Sequence, residues 1–207
     1  VTAPTSDVAF TASVKAAQLA HGSREAYARL EARGGFHTGV TDEVEAVLAN
    51  VDTAYLATAT AAGQPYVQHR GGPPGFIRKL GPDLLGFADY AGNRQYITLG
   101  NLAENDRAFL FLMDYARARR LKLWGRAAMT VDTGLIGRLM PADYHAQPER
   151  AVLFTVTAWD MNCSQHIPRK VNVADAAAML ALRDDRIRQL EAELSHLKSG
   201  GRLDASQ

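Results

Sequence analysis

Gln68, His69 and Arg70 close an alternating apolar segment, and Gly71, Gly72, Pro73, Pro74 and Gly75 then fix the backbone. A plain surface turn needs fewer such residues. If strand alternation runs through the triplet, Gln68 and Arg70 share a face and His69 points the other way. Gly71 and Gly72 leave room for a bound group to approach the backbone, and the prolines stiffen the exit. A second polar cluster, 89-DYAGNRQY-96, leads into a helix, with Gly92 or Asn93 as its cap and Arg94 and Gln95 in its first turn. Backbone N–H groups at a helix start beside an arginine suit a phosphate. A third group, 117-RARRLK-122, enters a strand and puts Arg120 and Lys122 on one face, although 117-RARR-120 reads equally well as a solvated turn. Together the clusters suggest an anionic, planar, phosphate-bearing ligand.

Other chemistries find less support. The sequence has no G-x-S-x-G, H-E-x-x-H, C-x-x-C or P-loop pattern. Its six histidines are scattered at 21, 37, 69, 145, 166 and 196. Cys163 and His166 form a C-x-x-H pair, two ligands where a structural zinc needs four, so no metal site is expected. A nucleophilic Cys163 would need a base, for which His166 is nearest in sequence; a small residue in a strand-end turn is the simpler reading of Cys163. His69 and His166 are the candidates for proton transfer.

The 207 residues carry a net charge of +1, with 47% apolar and 22% charged residues, an ordinary globular mix. The balance lacks the basic surplus of a nucleic-acid binder. One cysteine excludes a disulfide within the chain and points to the cytoplasm. No apolar run approaches the ~20 residues that span a bilayer, so no membrane partner is expected, and the first 25 residues do not read as a signal peptide.

Helical stretches at 13–20, 23–33 and 41–51 come first, the second ended by Gly34-Gly35. The pattern then turns to strands at 53–60, 65–70, 76–80, 84–90, 107–115, 121–132 and 151–161, with a short helix near 93–105 and another at 134–140. Segment 107–115 is almost continuously apolar, which predicts burial on both faces. About seven strands joined by hairpin turns favour an antiparallel barrel or sandwich over a parallel α/β fold. The organisation expected is an N-terminal helical extension (1–40), the barrel (41–170), and a C-terminal helix with a tail (171–207). In that helix Ile187, Leu190, Leu194 and Leu197 follow coiled-coil spacing. They suit docking on the chain's own domain as well as pairing with a second chain. Residues 199–207 read as disordered.

The run P-Y-V-Q-H-R, F-A-D-Y-A-G-N-R-Q, E-N-D-R-A-F-L-F-L and R-R-L-K-L-W-G-R-A resembles the pyridoxamine 5′-phosphate oxidase-like, FMN-binding split-barrel family over roughly residues 40–165. The flanks 22–35 and 159–169 are similar to an uncharacterised bacterial branch. The resemblance implies a mainly β fold: a six- to seven-stranded antiparallel split β-barrel with N-terminal helices and a C-terminal helix. It implies a homodimer with FMN at the subunit interface. Gln68, His69, Arg70, Gly71, Ala88 and Asp89 would then contact the flavin, with His69 or Arg70 near its N1/O2 edge. Arg94, Gln95 and Asn101 would serve the phosphate, and Arg120 would reach in from the partner. Trp159, Asn162, Cys163 and His166 would cover the flavin from the other subunit or pack the dimer. Two departures stand out. Gln95 replaces a residue that is often lysine, and Pro73 sits where the true oxidases carry a cation. No C-terminal Arg-x-His pair follows either, so vitamin B6 oxidation is not expected. The function implied is an FMN-dependent oxidoreductase acting on an unidentified small molecule; the alternative is a non-catalytic flavin or haem sensor or carrier. The same fold also supports deazaflavin use.

Overall fold

The computed structural model of the chain describes residues 3–162 and 165–200. Cys163 and residues 201–207 of the expected tail lie outside them. The chain forms two compact units, one ending at Ile167 and the other starting at Pro168.

The first unit opens with a 3₁₀ turn, Thr5–Val8, and helices α1 (Ala12–Ala20) and α2 (Arg24–Ala32). The Thr11 hydroxyl accepts the N–H of Val14 and caps α1. These helices belong to the same unit as the sheet. Phe10 meets Phe36 edge-on at 5.2 Å, and Phe36 stacks on Trp124 at 5.1 Å. The backbone of His37 exchanges two hydrogen bonds with that of Trp159. Helix α3 (Asp42–Leu48) buries Val44, Val47 and Leu48, each worth about 1.5–3 kcal/mol of removed apolar surface.

Seven strands follow: β1 (Thr53–Ala59), β2 (Pro65–Gly71), β3 (Arg78–Lys79), β4 (Leu84–Tyr90), β5 (Arg107–Asp114), β6 (Arg119–Thr130) and β7 (Pro148–Asn162). Helix α4 (Ile97–Glu104) joins β4 to β5, and α5 (Thr133–Leu139) joins β6 to β7. The sheet is antiparallel in the order β2-β1-β5-β6-β7-β4-β3. Along the sheet, four strands separate Arg70 on β2 from Asp89 on β4. In space their side chains form an ion pair. The sheet therefore curls until its two ends nearly meet, which makes it a split barrel, mainly β with flanking helices.

Strand alternation sorts the faces. Ala54, Leu56, Leu110, Leu112, Leu121, Leu123, Val152 and Phe154 fill the barrel core with Phe76, Phe87 and Trp159. Gly125 faces this core at the β6–β7 bulge, where a Cβ would lie 2.1 Å from the Thr155 carbonyl oxygen. The expectation that 107–115 is buried on both faces is corrected. Leu110 and Leu112 are buried, whereas Phe109, Phe111 and Met113 are half-buried on the outer face with Tyr55 and Trp124. That face reads as apolar in sequence because it carries aromatic side chains; the N-terminal segment covers only its Trp124 end, through Phe36.

The second unit holds α6, Val173–Gly200. Residues 199–200, expected within a disordered tail, continue this helix. Among the described residues no helix is long and apolar enough to cross a membrane.

Candidate functional site

Where the barrel fails to close, a cleft of about 250 Å³ opens between β2, the end of β4 and the loop leading into α4. Alternation on β2 sends Tyr66, Gln68 and Arg70 into it, and the Tyr66 hydroxyl hydrogen-bonds the Gln68 side chain. Asp89 enters from β4, and Arg150 lies opposite it in the β4–β7 register. Residues 92–99 form the remaining wall.

The centre of the cleft is polar, and its charged side chains are mostly buried. Arg70 donates through Nη1 to Asp89 Oδ1 and through Nη2 to Thr98 Oγ1 at 3.3 Å. The two charged side chains are 16% and 9% exposed. Arg70 Nε is buried without a partner, a donor that a bound acceptor would satisfy. Burial pushes the Asp89 carboxyl up, and the nearby Arg70 and Arg150 charges only partly offset this. Arg150 pairs with Glu149 at 2.8 Å and lies 5.2 Å from the centre of the Tyr96 ring. Three guanidinium groups thus face two carboxylates, which suits an anion.

The α4 approach differs from the sequence expectation. The helix begins at Ile97, with Tyr96 as its N-cap, so Arg94 and Gln95 precede the helix instead of lying in its first turn. Asn93 Oδ1 accepts the Gln95 N–H at 3.3 Å in a local turn. Arg94 and Tyr96 have φ of 58° and 55°, left-handed conformations that cost a non-glycine residue about 1–3 kcal/mol each and cluster at ligand sites. No side chain caps the first N–H groups of α4, which leaves them available to a ligand oxygen.

Of the residues singled out in the sequence, Gln68, Arg70, Asp89, Arg94 and Gln95 line this one cleft. The others lie elsewhere. His69 points from the outer face, with its ring 5.9 Å from that of Tyr55. Arg120 alternates onto the same outer face as Lys122 and Trp124. Ala88 packs with Ile136, Leu139 and Ala151 beneath α5. Asn101 is buried and donates to Thr58 Oγ1 at 3.0 Å, tying α4 to β1. The space beside Gly71 is taken by the His69 ring, and that beside Gly72 by Phe76, 2.7 Å from a notional Cβ. These glycines serve the loop's own packing, which places Phe76 in the core, and they do not open a path to a ligand. His166 is exposed with φ of 62°. Trp159 is 2% exposed and stacks on His37 at 4.5 Å, so it is a core residue rather than a cover.

Sequence reasoning missed Tyr66, Met129, Glu149 and Arg150. Tyr66 was recoverable, because it shares a face with Gln68 and Arg70 two and four residues on. Arg150 was not, since only strand pairing sets it opposite Asp89.

None of the curated proteins matches the sequence. Among solved structures, HupZ from Group A Streptococcus is 16% identical, covering 63% of this chain and 98% of its own, with a TM-score of 0.48. An FMN-binding protein from Syntrophomonas wolfei subsp. wolfei is 10% identical, covering 70% of this chain and 97% of its own, with a TM-score of 0.48. An F420 reductase is 18% identical, covering 56% of this chain and 94% of its own, with a TM-score of 0.41. The family model described as pyridoxamine 5′-phosphate oxidase matches residues 40–163, more than half of the chain, a span that contains all seven strands. This chain belongs to the pyridoxamine 5′-phosphate oxidase family.

Proposed function

We propose that this chain binds FMN in the β2–β4 cleft and acts as an FMN-dependent oxidoreductase on a small molecule other than a B6 vitamer. The observation that carries the reading is the convergence of Arg70, Arg94 and Arg150 at the uncapped start of α4, with Arg70 Nε buried and unpartnered. These groups fit the ligand. Arg94, Arg150 and the first N–H groups of α4 would hold the phosphate. Gln68 and Arg70 would meet the polar edge of the ring. Bound flavin supplies the hydride or electron chemistry.

The chain's own residues would bind, orient and tune. Arg70 holds a fixed positive charge that favours an anionic acceptor beside it. Asp89 holds Arg70 in place, and burial, which raises its proton affinity, makes it a candidate to carry a proton in the cleft. His69 and His166, the earlier candidates for this role, do not line the cleft.

The cleft is also smaller than the ~300–1,000 Å³ that encloses a ligand of this size, which supports a homodimeric site. Tyr55, Phe109, Phe111 and Met113 give the outer sheet face an apolar centre suited to a second copy, beside Trp124, which Phe36 of the same chain already covers. His69 and Arg120 lie on that face and would reach the partner's cleft.

The test is to denature the purified protein and identify what it releases, then to assay NADH or NADPH oxidation and quinone or nitro-compound reduction. Released FMN and turnover above free flavin support the proposal. Bound flavin without turnover leaves a carrier or sensor, and a chain that neither releases nor takes up flavin overturns it.

A further inference from the structure

The C-terminal helix has a surface that the cleft does not use. In α6 the residues Val173, Leu180, Ile187 and Leu194 recur every seven positions, and Ala176, Arg183, Leu190 and Leu197 recur three residues after each. In heptad notation the first set is a and the second d. Seven of these eight residues are apolar. Ile187, Leu190, Leu194 and Leu197 are 52%, 46%, 51% and 71% exposed. A β-branched Ile at a followed by Leu at d favours two strands.

The flanking charges say which partner and which direction. Positions g hold Arg186 and Glu193, and the e positions five residues later hold Glu191 and Lys198. In a parallel, in-register pair of identical helices, Arg186 faces the partner's Glu191 and Glu193 faces the partner's Lys198, so both pairs attract. Antiparallel pairing of Ile187 with the partner's Leu190 would keep Arg186 against the partner's Glu193. It would also set Asp184 against the partner's Glu191, a like-charge contact. Arg183, the one charged residue of the seam, sits beside Asp184 at e, and in the parallel pair it meets the partner's Asp184.

We infer that α6 pairs with α6 of a second copy as a parallel, in-register, two-stranded coiled coil. Its strongest part, residues 187–197, is too short to hold two free peptides together. Joined to barrels that already dimerise, the helices meet at the effective concentration of a tethered pair. The inference therefore rests on the homodimer of the proposed function. Coupling of the helices raises the dimer's resistance to dilution and with it the persistence of an interface site.

The test uses the full chain in a Cys163→Ser background. Leu190→Cys and Leu197→Cys are oxidised mildly, beside Ala192→Cys on the outward face, and covalent dimer is read on a denaturing gel. Sedimentation of the unmodified chain reports the barrel dimer separately. The expected result is covalent dimer in more than about half of the chains for both d positions and under about a tenth for Ala192→Cys, because only facing Cβ atoms reach disulfide geometry. Adding Leu194→Glu should abolish the cross-link. A dimer by sedimentation with no excess of cross-linking at 190 and 197 overturns the helix pairing and leaves the barrel dimer standing. A monomer that does not cross-link overturns both.

Discussion

Replacing Arg70 with methionine keeps the apolar stem of the side chain and removes its charge, which isolates what the ion pair at the mouth of the barrel does. Asp89 is then left 9% exposed with Arg150 as the remaining cation that favours its charged form. Breaking a buried pair by removing one partner costs about 3–5 kcal/mol when the survivor must stay charged. Asp89 need not stay charged. Burial already raises its proton affinity, Arg70 opposes that rise, and losing Arg70 pushes the carboxyl further up. The sign follows from linkage. Arg70 holds the folded-state pKa of Asp89 below the value it would have in the variant, so this part of its contribution exists at high pH. It is lost as pH falls through the two folded-state values. With Arg150 compensating in part, the expected cost of Arg70→Met is about 1–3 kcal/mol at pH ~8, shrinking below about 1 kcal/mol at pH ~5. Urea denaturation of flavin-free protein at the two pH values measures it. In a cycle with Asp89→Asn, the coupling between the two sites should shrink in the same direction. A cost that is independent of pH, or that grows in acid, would refute the reasoning.

Three further outcomes are expected. Gly125→Ala forces a Cβ to 2.1 Å from the Thr155 carbonyl oxygen and 2.6 Å from the Phe154 ring. Because one obstacle is backbone, the β6–β7 bulge must open, and urea denaturation should show a loss of about 3 kcal/mol or more. A loss under about 1 kcal/mol would mean that the strands there give way easily. Phe111→Glu places a charge at the centre of the outer sheet face and should turn the proposed dimer into a monomer by sedimentation. The same variant should lose flavin affinity while its far-ultraviolet circular dichroism stays unchanged; a dimer that survives would move the interface elsewhere. His69→Ala and Arg120→Ala should each weaken FMN binding by about tenfold through the partner's cleft, the worth of one hydrogen bond to a charged group. Unchanged binding in both would restrict the site to one protomer.

The strands were readable because alternation and turn residues are local. All seven emerged from 53–162 with small boundary errors, and α1, α2 and α3 from their residue composition and apolar spacing, although Ser23 and Thr41 make no side-chain cap bond. Misreadings arose where the deciding contact is distant in sequence. Phe76 and Ile77 read as strand, but both are buried in the core and only Arg78–Lys79 pair with β4. Arg94 and Gln95 read as a first helical turn because left-handed backbone at Arg94 and Tyr96 leaves no mark in residue type. Within the candidate site, period-2 alternation correctly separated His69 from Gln68 and Arg70. The family resemblance pointed Asn101 at the phosphate, yet its amide is spent on Thr58, 43 residues away. Arg150 and Glu149 were invisible for the same reason, since the β4–β7 register alone brings them to the cleft.

The central claim is that the cations beside α4 hold the phosphate of a flavin mononucleotide. Titrating flavin-free protein with FMN and, separately, with riboflavin, and following flavin fluorescence, tests it most directly. The two ligands differ only in the phosphate, whose charge-assisted bonds are worth about 1.5–3 kcal/mol each. The account predicts one FMN per chain, bound at least about tenfold more tightly than riboflavin, with Arg94→Ala erasing most of that difference. Equal affinity for the two flavins, or a preference that Arg94→Ala leaves intact, would contradict it.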